Sequence, residues 1–208
     1  MNSFDRLRKD ARIARLEAEL RARNAREVDD SVARRAAVAV LIRSGASGEP
    51  EILFIQRAEY EGDPWSGQIA FPGGRAEASD DSLLDTAIRE TLEETGIDLR
   101  RLSEVAGVLD DLRPRTVRLP AVVVRPFVFL VSEACEALLS SEVAGAFWVP
   151  LSVLLDRSVW RDARVRAGDV EISRFPFHHE GYVVWGRTER ILSGLLELLS
   201  EQTPGSGA

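Results

Sequence analysis

Glu90, Glu93 and Glu94 stand within five residues of one another in the stretch FPGGRAEASDDSLLDTAIRETLEETGI, residues 71–97. Like charges at helical neighbour spacing repel and cost stability. Clustered carboxylates are also the hard-oxygen set that holds Mg²⁺ or Mn²⁺, with waters and substrate phosphates completing the coordination. On a helix turning about 100° per residue, the three glutamates share one face and Leu84, Ile88 and Leu92 fall on the other. The spacing therefore predicts an acidic face turned away from an apolar face that packs on the core. Arg89 can pair with Glu93 one turn on, or with an acid at the start of the helix. Gly73 and Gly74, just upstream, let the backbone approach a ligand closely. The plainer alternative is a solvated acidic face with no ligand.

Several elements must position this segment. The acidic helix is predicted over 80–95, with Ser79, Asp80 or Asp81 as its N-cap and Gly96 as its stop. Short apolar runs at 36–43 and 52–58 read as strands of a hairpin, and QIAF (68–71) as a third strand that PGG ends. Residues 104–109 and 182–186 read as strands, and 110–120 as a long loop. Residues 121–131 read as a strand broken or bent at Pro126. Residues 142–155 pass through a Trp-Val-Pro turn into a short helix, and 187–200 form an amphipathic helix docked on the core. At the other end, residues 3–28 read as one charged amphipathic helix carrying Leu7, Ile13, Leu16 and Leu20. It either packs on the domain or offers a homodimer contact. Strands mixed with a few helices indicate an α/β domain with a mixed sheet. The expected organisation is an N-terminal charged helix (1–30), one domain (31–200) and a disordered tail (201–208).

Composition narrows the classes. A 208-residue chain with 45% hydrophobic residues can build a full core. The net charge of -7 disfavours long nucleic acids and anionic membranes as partners. A small anionic ligand is still accommodated where a bound cation reverses the local field. Cys135 is the sole cysteine, so no intrachain disulfide forms. The N-terminus is too charged for a secretory signal, and no apolar run is long enough to span a membrane. The expected location is the cytoplasm. His178 and His179 are adjacent, so on a strand they point to opposite faces and make a poor metal pair.

With Gly74, Asp81, Arg89, Glu90, Glu93, Glu94, Gly96 and Ile97 in this order, the segment resembles the Nudix box. The general pattern has five residues between the glycine and its first acid. Read with Asp81, this chain has one more, as in the coenzyme A diphosphatase branch. FPGG, TAIRET (86–91), EVAGAFWVPLSVLLD (142–156) and VVWGRTERIL (183–192) are similar to that branch as well. One stretch departs from it: GDPWSG (62–67) lacks the branch's basic residue and places Trp65 there.

The resemblance implies a Nudix-like α/β/α sandwich and a nucleotide pyrophosphohydrolase. Glu90, Glu93, Glu94 and the Gly74 carbonyl would be ligands of Mg²⁺ or Mn²⁺. Arg89 would orient the glutamates through Asp81, and Glu142 would be a remote ligand or base. Arg57, Gly73, Gly74 and Trp65 would contact a small nucleoside diphosphate substrate. Coenzyme A or an acyl-coenzyme A comes first among substrates. ADP-ribose and nucleoside diphosphate sugars are the alternatives, and a non-catalytic nucleotide-binding regulatory module is a further reading.

Overall fold

The computed structural model of the chain describes residues 3–60, 66–113, 121–133, 135–161, 163–167, 170–174 and 176–200. Trp65, residues 114–120 of the expected loop and the tail 201–208 lie outside the described residues.

Among the described residues the central sheet has seven strands. The strands β1 (Arg34–Ser44) and β2 (Pro50–Arg57) form the expected hairpin, with Ile42 opposite Ile52. A third strand, β3 (Ile69–Ala70), pairs antiparallel with the second half of β2, on the same edge as β1. The chain then returns as β4 (Gly73–Arg75), which pairs antiparallel with the first half of β1. Sequence reading ended the strand region at PGG, because three residues of Gly-Gly-Arg carry no strand signal of their own. Strands β5 (Ser103–Val108) and β6 (Val122–Val131) complete that side. Strand β6 lies parallel to β1 and antiparallel to β5, so the sheet is mixed.

Strand β6 runs unbroken through Pro126, where a break or a bend was expected. The Pro126 carbonyl accepts from the Leu109 N–H, so its ring nitrogen faces the same side, one residue past the end of β5. The missing donor falls where that ladder has already stopped. Residues 143–150 form a full strand, β7 (Val143–Pro150), paired along β2, where a turn was expected. Pro150 ends β7 and opens the short helix Leu151–Leu155 beyond it.

Six helices are described. In chain order they are α1 (Ser3–Leu7), α2 (Ala11–Ala22), α3 (Leu83–Thr95), α4 (Leu99–Leu102), α5 (Leu151–Leu155) and α6 (Gly186–Leu199). The apolar residues of β1 divide between two cores. Val40 and Ile42 face a core shared with α2 and α6, while Ala37, Ala39 and Leu41 face one shared with α3 and α4. Helices thus cover both faces of a mixed sheet, an α/β/α sandwich. Two small hairpins flank it: β8 (Ala163–Ala167) with β9 (Val170–Arg174), and β10 (Phe177–His179) with β11 (Tyr182–Val184). His178 and His179 sit in the latter pair.

The expected single N-terminal helix is two. Asp10 breaks it by capping α2, accepting from the Arg12 N–H. Leu7, Ile13, Leu16 and Leu20 are all buried in the core with α6 and β5. Each such side chain contributes about 1.5–3 kcal/mol when fully buried. The apolar stripe that sequence left open to a dimer contact is thus packed within the chain. No helix among the described residues is long and apolar enough to cross a membrane.

Candidate active site

Helix α3 is positioned by small side chains. Its buried residues are Thr86, Ala87, Thr91, Glu94 and Thr95, not the leucines expected to face the sheet. Leu84 and Ile88 pack at the margin, and Leu92 is 46% exposed. Ala87 and Thr91 let the helix sit close on the sheet. The threonine hydroxyls donate within the helix, Thr91 to the Ala87 carbonyl and Thr95 to the Thr91 carbonyl (2.7 and 2.6 Å), so neither is left unsatisfied. Ser82 caps the helix, accepting from the Asp85 N–H, in place of the residues 79–81 expected to do so. Gly96 ends it in the left-handed conformation. This close packing carries Glu94 down toward the sheet with the small residues.

There Glu94 meets β4. Its Oε2 accepts from the Gly73 N–H at 2.8 Å, and its Oε1 is 4.0 Å from Arg57. Its side chain is only 5% exposed. Burial pushes its pKa up to about 7; the Gly73 N–H and Arg57 oppose this, while Glu90 and Glu142 add to it. Glu90 is displaced upward too, chiefly by burial, with Arg89 opposing and Glu93 and Glu142 adding. The Glu90 carboxylate lies against Gly74 so closely that a Cβ there would overlap it. A side chain at Gly74 would have to move the Glu90 carboxylate from this position. Gly73 has φ 146°, and a Cβ there would strike the backbone of β1 at Ala37 and Val38.

Arg89 ties the cluster together. It grips one carboxylate with both arms, Nε and Nη2 donating to the Asp80 oxygens at 2.9 and 3.0 Å. Its Nη2 also donates to the Arg75 carbonyl (3.0 Å), and its Nη1 to Glu90 and Glu93 (3.1 Å each). The Arg89 guanidinium holds the Asp80 carboxyl well below the usual range. The partner is Asp80 and not Asp81, which is exposed. Asp80 is further fixed by the Glu77 N–H and the Thr86 hydroxyl. Five residues separate Gly74 from Asp80 and eight separate Asp80 from Arg89, so taking Asp80 as the acid moves the extra residue past it and leaves the Gly74 to Arg89 separation unchanged. That count, applied to both aspartates, was the signal that could have found Asp80.

Glu142 is exposed, just before β7. Its carbonyl accepts from Ala58 at 2.8 Å, which sets it beside the end of β2, and its charge acts on both Glu90 and Glu94. The structure therefore brings Arg57, Gly73, Gly74, Arg89, Glu90, Glu93, Glu94 and Glu142 to one place.

As they stand, no three His, Cys, Asp or Glu side chains among the described residues are gathered so as to hold a metal ion. Glu94 is turned to the Gly73 N–H and Glu93 to Arg89. The donor set nonetheless fits a hard divalent ion: carboxylates on one helix face, Glu94 buried and Glu90 partly buried, both raised in pKa, over a glycine backbone kept clear of any Cβ. A cation there would relieve the mutual repulsion of Glu90, Glu94 and Glu142.

Comparisons with known proteins agree with this picture. Residues 33–167 match the NUDIX domain. The chain is similar to the Nudix hydrolase NudL of Yersinia enterocolitica, 33% identical over 162 residues that cover 76% of this chain and 79% of that protein. It is 38% identical over 141 residues to protein C14C4.10c of Schizosaccharomyces pombe, covering 59% of this chain and 43% of that longer protein, so it spans under half of that relative's length. Among solved structures, a NUDIX hydrolase from Alicyclobacillus acidocaldarius shares the fold, with a TM-score of 0.54 and 21% identity over 79% of this chain and 91% of that one.

Proposed function

The chain belongs to the NUDIX domain family of pyrophosphohydrolases, and on that premise we propose that it cleaves a diphosphate bond in a nucleoside diphosphate linked to another group, with Mg²⁺ or Mn²⁺. Coenzyme A or an acyl-coenzyme A is the first choice of substrate, giving 3′,5′-ADP and a 4′-phosphopantetheine. The observation that carries the reading is the Arg89 hub, which aligns Glu90 and Glu93 beside Glu94 and the Gly73-Gly74 backbone.

Glu90, Glu93, Glu94 and the Gly74 carbonyl would hold the metal. When bound, a divalent ion of this kind neutralises phosphate charge and lowers the pKa of a coordinated water. The protein's own part is positional. Arg89 aims two carboxylates through its Nη1, and Asp80 keeps Arg89 in place. Glu94, raised toward neutrality by burial, can accept or hold a proton near pH 7, as can a base activating water. Glu142 adds negative charge at the same mouth. Arg57 offers a planar fork to a phosphate.

The coenzyme A reading rests mainly on stretches outside α3. These are FPGG, EVAGAFWVPLSVLLD and VVWGRTERIL. ADP-ribose and nucleoside diphosphate sugars are the competing substrates. The test is a hydrolysis panel of coenzyme A, ADP-ribose, NADH, a UDP-sugar and dGTP, each with Mg²⁺, Mn²⁺ or EDTA, the products separated by chromatography. Release of 3′,5′-ADP from coenzyme A ahead of the others, abolished by EDTA, is the expected result. A preference for another diphosphate would overturn the substrate and keep the chemistry.

A further inference from the structure

Glu142 lies just outside β7, yet its main chain is tied to the acidic helix. Strand β7 pairs in step with β2 from Pro150 opposite Glu51 to Gly145 opposite Gln56, and there the register slips. Val143, not Ala144, stands opposite Arg57. Bulges of this kind re-aim side chains beside functional sites. The slip leaves Glu142 against Ala58, whose N–H donates to the Glu142 carbonyl at 2.8 Å. Ser140 makes the link to α3. Its N–H donates to the Glu94 carbonyl (3.1 Å), and its hydroxyl oxygen accepts from the Glu142 N–H (3.3 Å). These two hydrogen bonds run from the main chain of Glu142 to that of Glu94. The charge of Glu142 is felt at both Glu90 and Glu94, in keeping with that placement.

Tyr60 supplies a further tie, from the segment after β2. Its hydroxyl donates to the carbonyl of Ser141, the residue before Glu142, at 2.9 Å. Its own backbone is locked by one side chain. The Tyr60 N–H donates to Ser66 Oγ, and the Ser66 hydroxyl donates to the Tyr60 carbonyl, both at 2.8 Å. Below them the Arg57 N–H donates to the Gln68 carbonyl at 3.0 Å and closes the stem. The Tyr60 side chain is 50% exposed, so burial of its ring explains only part of its order. The Ser141 carbonyl belongs to an exposed residue, and water could satisfy it in place of the tyrosine. The bond therefore adds little to stability. What it fixes is the strand end that carries Glu142.

We propose that Tyr60 is a positioning residue for the cation site: through the Ser141 carbonyl, its hydroxyl holds the strand end that presents Glu142 beside Glu94. This rests on the reading of Glu142 as part of that site. The segment after β2 and the start of β7 then act as one support, anchored to α3 through Ser140.

The test is a double-mutant cycle of Tyr60→Phe and Glu142→Gln in the full chain. It is read by Mn²⁺ affinity, from the electron paramagnetic resonance signal of the free ion, and by kcat on the member of the substrate panel cleaved fastest. Tyr60→Phe removes one oxygen from a half-exposed side chain, so the fold is retained, which thermal unfolding checks. It should weaken Mn²⁺ binding about fivefold, within the worth of one hydrogen bond, and lower kcat by a similar factor. Glu142→Gln should cost more on both readouts. In the Glu142→Gln background, Tyr60→Phe should cost nothing further, because the tie then holds a residue that no longer acts. A tyrosine with a purely structural role would give the same loss in both backgrounds, and that additivity would overturn the proposal. Affinity and kcat equal to wild type in Tyr60→Phe or in Glu142→Gln, or no Mn²⁺ binding by the wild-type chain, would overturn it as well. If the chain hydrolyses nothing in the panel while the cycle still shows the coupling in Mn²⁺ affinity, the diphosphatase reading fails and the positioning role stands.

Discussion

Glu94 and Asp111 are both buried carboxylates, 5% and 1% exposed at the side chain, yet the protein treats them oppositely. Asp111 accepts two bonds from Arg125 (2.7 and 3.0 Å), one from the Val28 N–H (2.9 Å) and one from Arg35 (3.4 Å). Burial works against its charge, but these partners outweigh it and lower its pKa. Glu94 has one backbone donor and an arginine 4.0 Å away, and its pKa is raised. Asp111 is matched by its surroundings and ties the segment after α2 to β6. Glu94 is left under-neutralised beside Glu90. A buried charge that is fully partnered belongs to structure. One that its partners only partly offset, beside other carboxylates, marks a candidate functional site.

The sharpest way to break this contrast is to neutralise each carboxylate in turn. Glu94→Gln should lower kcat by more than the roughly 100-fold typical for residues that merely orient metal ligands. The fold should survive, since the substitution removes a desolvated charge and keeps the shape. Steady-state rates with saturating Mg²⁺, paired with thermal unfolding, read both. A variant with near-normal turnover would remove Glu94 from the site.

Asp111→Ala should do the reverse. It strands Arg125, whose side chain is 17% exposed, and loss of one partner of a buried pair costs about 3–5 kcal/mol. Glu27, 3.1 Å from Arg125, keeps the loss toward the lower end. Urea unfolding should show the drop, while kcat of the folded fraction stays within about twofold of wild type. A large loss of kcat without loss of stability would reverse the roles assigned to the two carboxylates.

The two regions were not equally legible in the sequence. The box residues from Arg89 to Gly96 were readable because their spacing repeats a chemical requirement. The β1–β2 hairpin and α6 were readable because apolar period and turn residues agree. The orientation of α3 was not. Leucine and isoleucine dominate any apolar pattern, yet the sheet receives Ala87 and Thr91, whose value lies in their small size. Asp80 was hidden beside Asp81, since adjacent aspartates look alike until one is seen to meet Arg89. The Asp111 network was invisible: its members, residues 28, 35, 111 and 125, lie far apart in sequence and come together only through the pairing of β1 with β6.

Arg89 sharpens the comparison, because its grip on Asp80 resembles that of Arg125 on Asp111 but serves the site. Arg89→Lys keeps the charge and loses the planar fork that reaches Asp80, Glu90, Glu93 and the Arg75 carbonyl together. The expected loss is about 10–100-fold in kcat, with little change in KM. An equal loss of stability and activity would make Arg89 a second Asp111-type tie and not a positioning residue.

The smallest effect is a slope. A carboxyl whose folded pKa is depressed contributes stability that is present above its unfolded pKa and is lost as pH falls toward the folded value. For Asp111 the unfolded value is about 3.9, and the folded pKa lies below the usual range. The stability difference between wild type and Asp111→Ala should therefore be constant from about pH 7 to 5 and shrink below about pH 4. Taking the difference removes other acids that titrate in both proteins, Asp30 and Asp80 among them. Urea unfolding of the pair between pH 6 and 3 reads it. A gap that stays constant to pH 3 would mean that Asp111 stabilises by packing alone. The contrast with Glu94 would then lie in shape and not in charge.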